Sequence, residues 1–318
     1  MTTTQSRFDW DRHFHYQALP NLDANENLFF TRELEHIIPE MFEFQFARIN
    51  ARRIFPIDRT AGAHSKTITW RQFTKTGNAQ IISDYADDIQ LVNAKGEEFT
   101  SRVRGIAVGA MWSMDEIRAA RAVGRPLDRM YAEAARETMM RLENTVAFSG
   151  DSNFNLTGLF SAGTNIPSNP APKGSWTMSL AADDILYDMH YAANTIPEVT
   201  GDVEAATTLL LPTSKYHIVA SRKHGTDTDR TILSHFLLNS PYIREVIPVR
   251  ELETLGTGGN PVMVAYNRSP SKLRLQVPLD LEQLAPIQQN LAVIVPYHMK
   301  VGGVTIHKPM SIHFVQGI

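Results

Sequence analysis

Between Ser113 and Gly150 the chain carries its most demanding pattern, a long helical stretch closed by a glycine. Ser113 and Glu116 form the S-x-x-E arrangement of a capping box in front of "MDEIRAARAV". Gly124 and Pro126 punctuate, and proline is well tolerated in the first turn of the helix that follows. That helix, "PLDRMYAEAARETMMRLENTVAF", places Leu127, Tyr131, Ala134, Thr138, Leu142 and Val146 at helical spacing, which predicts one apolar stripe. About two dozen residues rising ~1.5 Å each make a rod on the order of 35 Å long. Gly150 stands where a left-handed glycine ends a helix, and "SGDSNFNLTGLF" carries the chain onward. A helix running into such a turn could be a phosphate loop, a nucleophile elbow or plain architecture. The rest of the chain decides.

In front of the rod, residues 1–30 are polar and aromatic without a sustained period and read as an extended arm. "TRELEHIIPEMFEF" predicts a short helix interrupted at Pro39. From Arg53 to Trp112 the pattern is that of strands. "KTITWRQF" sets Ile68 and Trp70 on one face, and "RVRGIAVGAMW" alternates small and larger residues. The intervening "GNAQIISDYADDIQLVNAKGEE" reads as the wide polar tip of a long hairpin. A two-stranded ribbon with little core beneath it is marginal alone in water. Either it folds back on its own domain or a neighbouring subunit buries it, and periodicity leaves both open.

Behind the rod, "NPAPKGSW" is a Pro/Gly-rich connector. "SLAADDILYDMHYAANTI" then predicts a helix with Ser179 as N-cap and Ile185, Met189 and Ile196 at helical spacing. "ATTLLLPTSKYHIVAS" reads as a buried strand, a proline turn and a helix from Thr213, and "DRTILSHFLLNSP" as another helix. Short strands follow in "REVIPV", "PVMVAYN", "KLRLQV", "NLAVIVPYHMKV" and "MSIHFVQ". Helices followed mostly by strands give a mixed α+β class rather than βαβ repeats.

The chemistry-bearing residues assemble into nothing catalytic. The absence of cysteine removes disulfides, thiolate zinc sites and cysteine nucleophiles together. The 318 residues are 43% hydrophobic and carry a formal charge of -3 with both signs interspersed, the densest basic patch being "RINARR". Direct nucleic-acid recognition is therefore not supported. No apolar run is long enough to span a bilayer, and the start has no apolar signal core. "LGTGGN" lacks the G-K-[ST] ending and reads as a loop between strands. "SGDSN" fails the elbow spacing and leaves Ser152 without a motif. His13 and His15 could share a metal, but spacing suggests no third ligand. His307 and His313 read as satisfied histidines in C-terminal strands. Asp87 and Asp88 fall in the hairpin tip, and Asp183 and Asp184 open a helix, where acids favour the dipole. No catalytic residue, metal or cofactor is expected. The glycine turn reads as architecture, with Leu159 and Phe160 as a small apolar foot.

"AARETMMRLENTVAFSGDSNFNLTGLFSA" resembles the end of the spine helix and the Gly-Leu turn of encapsulin shells, which share the Hong Kong 97-like fold with the major capsid proteins of tailed phages. "ATTLLLPTSKYHIV", "YIREVIPVRELE", "KLRLQVPLDLE" and "NLAVIVPYHMKVGGVTIHKPMSIHFV" resemble further segments of that family in the same order, so the similarity runs from Ser113 to Ile318, about two-thirds of the chain. The front part fits in layout more than in sequence.

The resemblance implies an amino-terminal arm and short helix in residues 1–50 and an extended loop (the E-loop) with strands in 53–112. It further implies a peripheral domain with the spine helix in 113–175, an axial domain in 176–293, and closing strands returning to the peripheral domain in 294–318. It implies a self-assembling structural protein, not an enzyme. Hexamers and pentamers would form an icosahedral shell around phage double-stranded DNA, made in the host cytoplasm and held in the virion. Separate scaffolding, portal and decoration proteins are the implied partners, with DNA held without sequence-specific contact and no membrane. The encapsulin start helix is missing, which favours a phage capsid; a nanocompartment enclosing a cargo enzyme is the alternative. The arm is too short for a cleavable scaffold, so no amino-terminal cleavage is expected. Lys66, Lys75 and Lys95 lie in the loop region, where one branch of the family forms cross-links. In that family the E-loop lies across an adjacent subunit, so Trp70, Phe73, Ile68, Arg71 and Tyr85 are the expected inter-subunit residues.

Overall fold

The computed structural model describes residues 48–78, 91–124, 127–161, 165–225 and 229–318. In chain order the described elements begin with α1 (Ala51–Ile54), β1 (Ile57–Asp58), β2 (Thr67–Thr76), β3 (Asn93–Arg102), β4 (Arg104–Ser113), α2 (Met114–Val123) and α3 (Leu127–Ser149). After β5 (Ser168–Pro170) come α4 (Ala182–Thr200), β6 (Thr208–Pro212), α5 (Thr213–Ser221), α6 (Ile232–Asn239) and β7 (Glu245–Val249). The chain closes with β8 (Val262–Tyr266), β9 (Leu273–Gln276), β10 (Leu279–Gln283), β11 (Ile287–Gln289), β12 (Ala292–Val301), β13 (Gly303–Ile306) and β14 (Ile312–Gln316). The arm and the Pro39 helix expected in front of them lie outside the described residues.

Three sheets and a separate ribbon organise these elements. The largest sheet has the order β5-β14-β8-β6-β7, with β6 and β7 parallel and β8 antiparallel to both β6 and β14. Its inner strands β6 and β8 are buried throughout and nearly all apolar because both faces are covered. Leu209, Leu211, Met263, Ala265 and Val315 turn one way, onto Ile185, Met189, Ile196 and Phe236 of α4 and α6. Leu210, Val264, Tyr266, Ile312 and Phe314 turn the other way, onto Phe55, Phe148 and Leu159. The period of two sorts one strand into two cores. Helix α4 begins after Ala181 without a side-chain cap, while the Ser179 hydroxyl meets that of Thr177 at 2.9 Å. The expected Ser179 cap is thus absent, and Asp183 and Asp184 face the helix's positive end instead.

The residues from 294 onward divide between sheets. Strand β12 runs antiparallel to the whole of β4, from Ala292↔Ser113 to Val301↔Arg104, and β13 pairs with β9, whereas β14 lies beside β8. Alternate residues of β4 and β12, among them Ala110, Trp112, Val295, Tyr297 and Met299, pack on α3.

Ser113 caps α2 through the reciprocal bonds of a capping box with Glu116, and Gly124 ends it at φ 70°. Along α3 the buried line differs from the expected stripe. Tyr131, Ala134, Thr138 and Leu142 are exposed and Val146 alone among the described stripe positions is buried. The covered line runs through Ala135, Met139, Glu143 and Val146. Glu143 can lie on that line because Arg52 donates to both of its carboxylate oxygens at 2.8 Å, a paired charge on the covered face that apolar spacing does not reveal.

The glycine turn proves architectural. Gly150 (φ 71°) donates to the carbonyl of Val146, Leu159 to Ala147 and Phe160 to Phe148. A Cβ on Gly158 would lie 2.4 Å from the Gly150 nitrogen and 2.7 Å from the Val146 oxygen, so the two glycines must pass backbone to backbone. Leu159 is buried, and Phe160 stacks on Phe314 with centroids 4.6 Å apart.

The hairpin differs from expectation in its return strand. β2 pairs with β3, Thr67↔Arg102 through Thr76↔Asn93, so "NAKGEE" belongs to a strand rather than to the tip. "RGIAVGAMW" is the separate strand β4 in another sheet.

Candidate assembly surface

The ribbon presents two unlike faces. On β2, Ile68, Trp70 and Gln72 share one parity, and Thr69, Arg71 and Phe73 the other. The structure therefore does not group the expected residues: Trp70 and Phe73, three positions apart, point to opposite sides. Tyr85 lies outside the described residues, as do Asp87 and Asp88.

The Trp70 face is half-buried against its own chain. The indole stacks on Phe99 at 5.8 Å and meets the edge of His307 at 5.4 Å and 89°. The Gln72 amide donates to the His307 carbonyl. Ser101 Oγ, opposite Ile68, donates to the Gly302 carbonyl at 3.0 Å. Gly302 permits that approach, since a Cβ there would lie 2.9 Å from the Gln276 Cβ.

The other face is open. Phe73 is 70% exposed and lies across Gly96, where a Cβ would come within 3.0 Å of its ring. Arg71 approaches Glu98 at 3.6 Å, both well exposed, a pair of small energetic consequence. Between ribbon and body runs a groove of about 600 Å³ lined by Trp70, Gln72, Arg274, His307 and Lys308 among others. Lys66, Lys75 and Lys95 are exposed.

Beneath the ribbon's base, polar networks tie the body together, and sequence reasoning missed them. Arg52, from the basic patch "RINARR", bridges Glu143 (1% exposed) and Asp280 at 2.8 and 2.9 Å. Burial alone lowers the Arg52 pKa, but the hydrogen bonds to Glu143 and Asp280 outweigh it and raise it above its ordinary value. The Asn144 side-chain oxygen accepts from the backbone of Asn50 and Ala51, and its amide donates to Glu251. Asp58 is held at a pKa of about 2: burial pushes it up, and hydrogen bonds from Thr60, Arg274 and Gln276 prevail. The only sequence signal was the spacing of charges among apolar positions, which reads equally well as a solvated face.

The remaining candidates are structural. Burial lowers the pKa of His313, whose ring contacts the Ala192 carbonyl and Asn169 at 3.3 Å. His307 is likewise lowered, by burial and then by Arg274. Its Nε2 lacks a partner among the described residues, unlike the satisfied histidine expected there. Asp184 pairs with Lys173 at 3.2 Å, and Asp183 lies 3.6 Å from His224. "LGTGGN" forms a one-turn connection at Thr257–Gly259 leading into β8. Among the described residues no three acids or histidines are grouped to hold a metal, and no helix is long and apolar enough to cross a membrane.

Comparison with known proteins gives this arrangement its context. No curated protein matches the chain. Among solved structures, a chain from the capsid of Myoviridae phage XM1 superposes with a TM-score of 0.80 at 17% identity, covering 92% of this chain and 100% of that one. A chain of Mycobacterium phage Ogopogo gives 0.60 at 13% identity over 91% and 99%. The capsid of a native GTA particle gives 0.62 at 11% identity over 89% and 94%. These likenesses establish the α+β, Hong Kong 97-like fold. The major capsid protein family model matches residues 77–318, which takes in the whole five-stranded sheet, strands β4 and β12, the long helix and its glycine turn. The chain belongs to the major capsid protein family.

Proposed function

We propose that this capsid protein closes into an icosahedral shell of hexamers and pentamers around phage double-stranded DNA, with the β2–β3 ribbon reaching a neighbouring subunit as the E-loop. The observation that carries this reading is the ribbon itself. β3 is exposed at nine of its ten positions, and the last four residues of β2, Phe73 to Thr76, are all exposed. An isolated two-stranded ribbon is marginal in water, and its free edges template pairing with other chains. A neighbour that covers it stabilises both.

In this reading, residues 1–50 form the arm, 53–112 the E-loop region, 113–175 the peripheral domain, 176–293 the axial domain and 294–318 the closing strands. Phe73 and Arg71 meet the neighbour on the open face, and Tyr85, outside the described residues, is a further inter-subunit residue. Ile68 and Trp70 act from the root. DNA is packed without sequence-specific contact, consistent with the near-neutral charge of -3 and with Arg52 being committed to Glu143. Assembly takes place in the host cytoplasm, with scaffolding, portal and decoration proteins as separate chains.

Electron microscopy and light scattering on wild-type protein and Phe73→Asp test the reading. The wild type should give uniform shells, and the variant a folded subunit that does not close them. Normal shells from Phe73→Asp would remove the ribbon from the interface. Particles filled with a cargo enzyme instead of DNA would make this a compartment.

A further inference from the structure

We infer that the angle at which the β2–β3 ribbon leaves the body is set by a latch at its root. The latch consists of Trp70, Gln72 and Ser101 on the ribbon and Gly302 and His307 on the body, and it positions the ribbon for the neighbour it meets. The inference rests on the proposed inter-subunit role of the ribbon.

Among the described residues, the hydrogen bonds and the ring contact between ribbon and body converge on one short stretch of chain, from Gly302 to His307. Ser101 Oγ donates to the Gly302 carbonyl at 3.0 Å, the Gln72 amide to the His307 carbonyl, and the Trp70 indole receives the His307 edge at 5.4 Å. Past this stretch, Phe73 to Thr76 and Asn93 to Thr100 are exposed. Mechanically the ribbon is a lever with its pivot at one end. The four residues of β2 past Gln72 span ~13 Å, so a ~10° change at the latch displaces the end of the strand by about 2 Å. Shape-complementary interfaces pack as densely as protein interiors and do not absorb such a shift.

The latch's chemistry suits positioning more than stability. It offers two hydrogen bonds and one edge-to-face ring pair, each a modest contribution. It buries little apolar area compared with the sheets. Gly302 keeps the approach close, since a Cβ there would crowd Gln276, Val103 and Ile68 at 2.9, 3.4 and 3.5 Å. Burial and then Arg274 lower the His307 pKa.

Trp70→Ala and His307→Ala test the latch, with Trp70→Phe and His307→Phe as variants that retain a ring and Phe73→Asp as a control on the open face. Shells from the producing cells are sized by cryo-electron microscopy, and thermal unfolding of the soluble subunit is measured in parallel. The alanine variants should unfold near the wild-type temperature yet give a severalfold broader spread of diameters or open sheets. The phenylalanine variants should restore uniform particles. Uniform wild-type diameters from both alanine variants, with Phe73→Asp still blocking closure, overturn the latch and leave the ribbon's role standing. Normal closure by Phe73→Asp overturns that role and the latch with it. A parallel loss of unfolding temperature in both alanine variants would show a packing role, and would also overturn it.

Discussion

Strands β6 and β8 are buried at every position, and β3 at a single one. The first two read "TLLLP" and "VMVAY", the third "NAKGEEFTSR". All are good strands, but they are stabilised differently. The five-stranded sheet has cores on both faces supplied by its own chain. The ribbon has its own ladder, a latch at one end, and exposed surface elsewhere. Under the proposed assembly, the residues that make the subunit fold are separate from those that make subunits meet, and substitutions in the two regions should register in different measurements.

The largest effect on the subunit belongs to the sheet. Leu210 is fully buried, and Leu210→Ala removes apolar contacts and leaves a cavity that the surrounding sheet only partly fills. Denaturant unfolding of the soluble subunit should show a loss of about 2–5 kcal/mol. A loss below about 1 kcal/mol would break the comparison, because the sheet would then be no better packed than an exposed strand.

Next comes the buried charge on the spine helix. Glu143→Ala leaves Arg52 with only the half-exposed Asp280 and should cost about 3 kcal/mol. The double change Arg52→Met with Glu143→Leu should recover most of that in the same unfolding measurement, since well-packed apolar side chains commonly replace a buried pair. If the double variant is less stable than Glu143→Ala, the pair holds the junction of α1 and α3 by more than mutual compensation.

That buried pair also marks where the sequence was legible and where it was not. The capping box at Ser113 and the turn at Gly150 could be read because local chemistry dictates them: a hydroxyl three residues before a glutamate, and a backbone angle that favours glycine. The apolar runs of β6, β8 and β14 could be read because they are covered on both sides. The face of α3 could not be read from periodicity, because Glu143 is buried through a partner 91 residues away. The first part of the ribbon's return strand, "NAKGEE", reads as a tip for the opposite reason. A strand with no core beneath it has no apolar alternation to announce it, and "NAKGEEFTSR" looks like a solvated turn until its pairing is known. At the assembly surface, sequence supplied Trp70 and Phe73 but not their opposite directions, although the period of two contains that information.

A third, smaller effect depends on pH. Asp58 falls from an ordinary carboxylate value of 3.8 to about 2 in the folded chain. A depressed folded pKa contributes stability that is fully present above the unfolded value and is lost as pH falls through the folded one. The shift corresponds to about 2 kcal/mol. Asp58→Asn should therefore be less stable than wild type by about that amount at pH 7, with the difference closing between roughly pH 4 and pH 2. Unfolding curves across that range check it, and a gap independent of pH would assign the loss to packing around Arg274.

The smallest effect on the subunit should accompany one of the largest on the particle. Phe73 is 70% exposed, and its visible intramolecular contact is the flat approach to Gly96. Phe73→Ala should change unfolding of the soluble subunit by less than about 0.5 kcal/mol, as surface substitutions generally do. In the proposed assembly a neighbour covers the same ring, and a large aromatic anchor at an interface commonly contributes about 2 kcal/mol or more. Because every subunit carries the ring, a loss of that size recurs at each contact and raises the concentration at which shells close. Light scattering over a protein dilution series reads this directly, as a shift of the assembly threshold by tenfold or more. An unchanged threshold with an unchanged subunit would leave the open face of the ribbon without a neighbour. A destabilised subunit would mean that the ribbon belongs to the folding unit after all, and the division between the two regions would fall elsewhere.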